Sequence, residues 1–310
     1  DTTGLVAALD GALSRLRRPP AAHDTLDGWW QEFRVQRRDF ALPIDQAIAA
    51  GVLADRVGYA FAGGYQAALL RLDPTLAPER VASLSVTEDG GGHPQAIATT
   101  LAADGDGWRL DGRKKWATMS AAGAVALVAA KVGVDDQGRN RLRLARVDLG
   151  APGVTVEPMP ETEFVPEVRH CRLQFDGVRV RADDLLPGDG YVGYVKPFRT
   201  LEDIFVTTAV LTYLLGIALR YEWPRDVCER LLALLAALRG LGIADPRSPV
   251  VHVALEGALQ LRQRLVEDIV PHWDLVEPAE RARWARDLPL TSIAGRVRGL
   301  RTDAAWKKMG

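Results

Sequence analysis

The sequence predicts an α+β protein: an N-terminal helical domain, a central antiparallel β-sandwich or barrel, and a C-terminal helical bundle. Three observations predict it. Apolar residues recur at helical spacing up to Leu70. Between Pro78 and Pro197 the texture changes to short β-branched or alternating runs cut by Gly and Asp turns. Past Pro197 long helical patterns return. Helix, then β, then helix excludes the βαβ rhythm of a doubly wound parallel sheet. The expected domains span residues 1–80, 81–196 and 197–310.

In the first domain, the Pro19–Pro20 pair ends one helical segment and Gly63–Gly64 weakens another. The stretch from Pro43 to Gly51 reads as a short amphipathic helix, with a proline in its first turn and a glycine just past its end. Strands are expected at Ala82–Val86, Ala96–Ala103, Trp108–Lys115, Ala124–Val132, Leu142–Val147, Val154–Met159, His170–Phe175 and Val178–Val180. Asp104-Gly105-Asp106-Gly107 and Asp135-Asp136-Gln137-Gly138 are hairpin-type connections, rich in residues that accept positive φ. Helices are then expected over Thr200–Glu222, Arg225–Leu241, Pro249–Val270 and roughly Pro278–Lys308. The longest apolar run, Val206–Leu219, is about 14 residues, short for a bilayer, and reads as a buried helix.

At 47% hydrophobic and 25% charged residues, the chain can bury a substantial core. Its formal net charge of -1 points to neither nucleic acid nor a membrane surface as partner. Cys171 and Cys228 have no CxxC or paired spacing, so neither a disulfide framework nor a zinc site is supported and reducing cytoplasm is the expected location. The first ten residues lack the basic and apolar runs of a signal peptide.

Two stretches carry candidate chemistry. Ser85-Val86-Thr87-Glu88-Asp89-Gly90-Gly91-Gly92-His93-Pro94 is a strand running into three glycines, where backbone amides and the Thr87 hydroxyl can approach a ligand. Taken alone, the glycines read more readily as a flexible turn, since the spacing fits neither a Walker loop nor GxGxxG. In Asp111-Gly112-Arg113-Lys114-Lys115-Trp116-Ala117-Thr118, Trp116 and Thr118 stand two apart on a strand and so share a face, where they can address one planar ligand. An ordinary core tryptophan is the competing reading. No GxSxG nucleophile or Cys–His pairing supports a hydrolase.

In this order, and with Phe175-Asp176-Gly177-Val178-Arg179-Val180 and Leu185-Leu186-Pro187-Gly188 downstream, these segments resemble the acyl-CoA dehydrogenase family. Its middle domain reads approximately TEPxxGSD, dGxKxWIT and FxxVxVPxxxLLG. The resemblance implies bound FAD, with Thr87 and the backbone around Val86 facing the flavin's pyrimidine, Gly92 and His93 as further cofactor contacts, and Trp116 and Thr118 flanking the ring system. It also implies an acyl thioester substrate, association into a homodimer or homotetramer, and an electron-transfer flavoprotein as acceptor. The family reaction removes a proton from the acyl α carbon and passes hydride from the β carbon to the flavin.

Some positions depart from the family pattern. The GSD serine is replaced by His93, which an exposed loop position also explains. If Arg286-Asp287 matches the family's Arg-Asp pair, Gly295 falls where the basic glutamate would stand, in Ser292-Ile293-Ala294-Gly295-Arg296. The remaining candidate base is Glu202, near the start of the first C-terminal helix, where an acid also suits the helix dipole. The family's RxxFG and QxxGGxG stretches are absent. His252 and His272 read as structural histidines, and Arg296 to Arg301 as a solvated helix face. The competing function is a flavin-binding or structural homologue without dehydrogenase activity, serving as a subunit or binding module.

Overall fold

The computed structural model describes residues 2–292 and 295–310, and the side chains of 9–291 and 298–310. The chain forms two compact units, one of residues 1–71, 163–167 and 200–310, the other of 72–162 and 168–199. The N-terminal and C-terminal helices therefore share one unit rather than flanking the β region as separate bodies.

The helical unit contains α1 (Thr2–Leu16), α2 (Leu26–Gln36), α3 (Pro43–Leu53), α4 (Val57–Leu72), α5 (Lys196–Arg220), α6 (Arg225–Ile243), α7 (Pro249–Asp268), α8 (Pro278–Asp287) and α9 (Gly295–Met309). The stacked rings of Trp29, Phe33 and Tyr59 fill its N-terminal end, with centroids 4.8 and 5.5 Å from Trp29. A bidentate ion pair, Arg239 to Asp45 at 2.6 and 2.9 Å, ties α6 to α3. Gly51 does not end α3, which runs on to Leu53. A Cβ at Gly51 would collide with the Ala209 carbonyl and Thr212, so this glycine permits close approach of α3 and α5.

The apolar run at Val206–Leu219 belongs to a longer element than the sequence suggested. A π turn and α5 together span Tyr191–Arg220, 30 residues, long and apolar enough in length and composition to cross a membrane. Its apolar window is 83% buried inside the protein, as a core helix is. Within it, Thr208 and Thr212 return their hydroxyls to the carbonyls of Ile204 and Thr208, at 2.8 and 2.9 Å.

The expected helix from Pro278 to Lys308 is broken. Pro289 has no N–H to continue the ladder, and a 3-10 turn at Leu288–Ser292 separates α8 from α9. Arg286 and Asp287 hold segment 163–167: Val165 N donates to Asp287 at 2.8 Å and Arg286 to Glu167 at 2.9 Å.

The β unit contains β1 (Ala82–Ser85), β2 (Thr100–Asp104), β3 (Gly107–Thr118), β4 (Val125–Val134), β5 (Asn140–Asp148), β6 (Val154–Pro158) and β7 (His170–Arg181). They form one seven-stranded sheet in the order β1-β4-β2-β3-β7-β6, with β5 also on β4. Four pairings are antiparallel as expected, but β1 and β2 both run parallel to β4. The glycine segment after β1 therefore carries the chain across to β2 without reversing it. A 3-10 turn at Pro94–Ala96 in that segment delays β2 to Thr100.

The two strands expected at His170–Phe175 and Val178–Val180 are one strand, β7. Opposite Phe175, Gly112 sits in a register shift at φ +145, where a Cβ would strike Thr99. Alternate residues Leu101, Leu110, Leu173, Phe175 and Val180 pack with β4 and β5 into the sheet's core.

Candidate functional site

In the β unit the residues singled out from sequence fall into two groups. The first is the loop after β1. Glu88 and Gly91 exchange backbone hydrogen bonds at 3.1 and 2.9 Å, closing a tight turn, and Lys115 N donates to the Thr87 carbonyl at 2.8 Å. The Thr87 hydroxyl lies against Gly92, where an added Cβ would come within 3.3 Å of it.

A wholly buried ion pair fixes this loop from beneath. Lys114 Nζ donates to Glu88 at 2.6 Å and to the Val86 carbonyl at 3.2 Å. Glu88 also accepts from the backbone N–H groups of Ala98 and Thr99, at 2.8 and 3.1 Å. Burial pushes the Lys114 ammonium down to about 8, partly offset by Glu88. Burial acts on Glu88 in the opposite sense, but Lys114 and the two amides outweigh it and hold the carboxyl below its ordinary value.

The second group centres on a residue the sequence reasoning did not select, His170 at the start of β7. Trp116 meets its ring edge-on at 5.5 Å, and Thr118 Oγ1 lies 3.3 Å from its Nδ1. Burial lowers the His170 pKa, which favours the neutral imidazole. Trp116 and Thr118 meet the same ring, but not through simple strand alternation. The ladder shifts register between Lys114 and Ala117, and Trp116 adopts φ 60, a left-handed conformation that a bulky side chain rarely takes. The indole is 47% exposed, so it is not a core tryptophan. An exposed indole, a hydroxyl and a neutral imidazole together form a platform suited to a flat heteroaromatic ring.

The other expectations fare differently. His93 is exposed, and its Nδ1 accepts from Gln95 N at 3.3 Å, capping the short turn that follows. His252 lies 2.8 Å from the Pro246 carbonyl, and His272 packs 5.9 Å from Trp223. In the stretch where a family base was counted, Ile293 and Ala294 lie outside the described residues, and Gly295 opens α9. Glu88 and Lys114 were written in the motifs but not chosen, although two opposite charges on adjoining segments were a usable signal. His170 carried no such signal, since its role depends on the register of β3 against β7.

Glu202 stands on α5 in the helical unit, lining a cavity of about 130 Å³. The walls are mostly apolar, from Phe61, Val206, Val210, Leu214, Val266 and Trp284, with Asp203, Arg262 and Arg298 among the polar lining. Asp203 accepts from Arg298 at 2.6 and 3.0 Å and pairs with Arg301 at 2.9 Å. The expected solvated face of α9 is thus overturned at these two arginines, which turn to the half-buried carboxylate of Asp203. Arg262 is 8% exposed and donates to the Thr291 carbonyl at 2.5 Å, while its Nε has no partner. Burial pushes its guanidinium down to about 10.

Residues 83–178, from β1 into β7, match the family model for the acyl-CoA dehydrogenase middle domain. The chain is also 28% identical over 179 residues to acyl-CoA dehydrogenase IpdE1 of Mycobacterium tuberculosis, a match covering 53% of this chain and 46% of that protein. Residues 83–178 thus carry an acyl-CoA dehydrogenase middle domain. It spans about half the length of the curated relatives it matches.

Among solved structures, butyryl-CoA dehydrogenase of Megasphaera elsdenii superposes with a TM-score of 0.64 at 16% identity, covering 87% of this chain and 83% of that one. The FAD complex of PigA superposes with a TM-score of 0.62 at 13% identity, covering 100% and 97%. At such identities the likeness establishes the fold. The acyl-CoA dehydrogenase middle domain is thus the part of this chain that carries the Trp116 platform and the Thr87 loop.

Proposed function

We propose that this protein is an acyl-CoA dehydrogenase family member, an FAD-dependent oxidoreductase that carries out α,β-dehydrogenation of an acyl thioester. The single observation that carries the reading is the exposed Trp116 beside Thr118 and His170, held in a strained backbone conformation at a register shift of β3. Strain of this kind costs about 1–3 kcal/mol and persists where a function uses it. The residues present fit a flavin. Trp116 and Thr118 would hold the ring system, and Val86, Thr87 and Gly92 would face its polar edge. The FAD complex of PigA and the acyl-CoA dehydrogenases among the relatives support this choice of cofactor and substrate class.

When bound, FAD supplies the acceptor for the hydride leaving the acyl β carbon. The chain's own task is to orient the thioester and remove the α proton. Glu202, a carboxylate on the wall of an otherwise mostly apolar cavity, is the candidate base for that proton. Assembly into a homodimer or homotetramer, and electron transfer to an electron-transfer flavoprotein, belong to the same reading. Gly295, at the position counted for the family's glutamate, favours a second reading, a flavin-binding homologue without dehydrogenation.

The test is a visible spectrum of the purified protein supplemented with FAD. Flavin absorbance that bleaches anaerobically on addition of an acyl-CoA supports the enzyme. A yellow protein that never bleaches supports the second reading, and a colourless protein that does not take up FAD refutes both. Glu202→Gln should abolish bleaching while leaving the flavin bound.

A further inference from the structure

The helical-unit cavity is lined by a buried guanidinium, Arg262, that the proposed dehydrogenation does not use. Three guanidinium groups, Arg262, Arg298 and Arg301, lie near Glu202 and Asp203, and Glu256 also acts on Arg262 through space. Asp203 is already shared between Arg298 and Arg301, at 2.6 and 2.9 Å. Among the described residues no carboxylate forms an ion pair with Arg262. Its one hydrogen bond goes to the neutral carbonyl of Thr291, and its Nε is buried without a partner. Buried charges in proteins are ordinarily paired, because leaving one uncompensated is costly. A buried guanidinium facing a cavity is therefore a seat for an anion.

The surroundings narrow that anion. Glu202 and Asp203 lie on the same wall and would repel a dianion such as a phosphate monoester, which leaves a monoanion. The planar guanidinium fork matches a carboxylate. The remaining wall is apolar, with Val206, Val210 and Val266 as examples. A volume of about 130 Å³ is close to that of a cavity of roughly 150 Å³ known to take benzene.

We propose that this cavity binds a short apolar chain of about four to six carbons tipped by a carboxylate, with the carboxylate seated on Arg262. In terms of the proposed function, this names the acyl group as one carrying a carboxylate at its far end. It rests on that reading for the thioester alone, because a free carboxylate should bind whether or not dehydrogenation occurs.

The test is titration of the full chain with hexanoate and with hexan-1-ol, followed by calorimetry and by tryptophan fluorescence, since Trp284 lines the cavity. Hexanoate should bind at least tenfold more tightly than hexanol, and Arg262→Met should erase that preference. Equal binding of acid and alcohol, or unchanged hexanoate binding by Arg262→Met, overturns the proposal. Should that variant fail to fold, Val210→Trp fills the cavity instead. It must lose hexanoate binding, and retained binding overturns the proposal. Flavin bleaching separates the two ideas. Hexanoate binding without bleaching by any acyl-CoA sinks dehydrogenation alone. Bleaching by an unsubstituted acyl-CoA with no preference for the acid sinks the carboxylate seat alone.

Discussion

The two units each bury a cluster of charges, and the clusters are finished to different degrees. In the β unit, Lys114 and Glu88 face each other at 2.6 Å, and the carboxylate gains two backbone N–H donors while the ammonium gains the Val86 carbonyl. In the helical unit Asp203 forms ion pairs with Arg298 and Arg301, while Arg262 has a neutral carbonyl, no ion-pair partner among the described residues and an idle Nε. A closed cluster is scaffolding, whose work is to hold the Thr87 loop in place. An open one beside a cavity is where a ligand can complete the set. Satisfaction of buried polar groups, more than the number of charges, separates the two.

This comparison can be broken by mutation. The largest effect belongs to the closed cluster. Glu88→Ala leaves Lys114 buried and unpaired, and should lower stability by about 3–5 kcal/mol in equilibrium urea unfolding. Asp203→Asn removes the shared partner of two arginines and should cost about 2–3 kcal/mol by the same measurement, less because the site is nearer solvent. By contrast, Arg262→Met removes a charge that forms no ion pair among the described residues and should change stability by about 1 kcal/mol or less. A loss at Arg262 as large as at Glu88 would erase the distinction.

Acid sharpens the same contrast more gently. The Glu88 carboxyl is held below its ordinary value of 4.5 in the folded protein, so the unfolded chain takes up its proton first. Its contribution to stability is present above that value and is lost as pH falls through the lower, folded one. A series of melting curves from pH 6 to pH 3 should therefore decline less steeply in Glu88→Gln than in the parent. Identical slopes would remove Glu88 from the account.

The platform residues should behave unlike either cluster. Trp116→Gly places at φ 60 the one residue that adopts it freely, so thermal stability should hold or rise by about 1 kcal/mol. A marked loss of stability would make Trp116 a packing residue.

The sequence was most legible where local chemistry decides structure. The Gly and Asp turns around β2 and β3 and Pro43 at the start of α3 read correctly in kind, and the motifs around Thr87 and Trp116 fall within the residues that match the acyl-CoA dehydrogenase middle domain. What it hid depends on contacts made by distant segments. Gly51 was taken for a helix end because its partner, the backbone near Ala209, lies far along the chain. Helix α5 was expected from Thr200 but starts at Lys196, continuing a π turn that no local pattern announces. Strand β1 was expected in an antiparallel setting, and nothing local says that the glycine segment crosses over. His170 and Arg262 were missed because a histidine or arginine acquires its role from neighbours that only the fold supplies.

The central claim, that the platform of Trp116, Thr118 and His170 holds a flavin, has one direct measurement. FAD titrated into the parent protein and into Trp116→Gly, followed by retained yellow colour after gel filtration, reads the platform without requiring turnover. The parent should keep stoichiometric flavin, and the variant should bind it at least tenfold more weakly at unchanged stability. Equal retention by both, or none by the parent, would contradict the account.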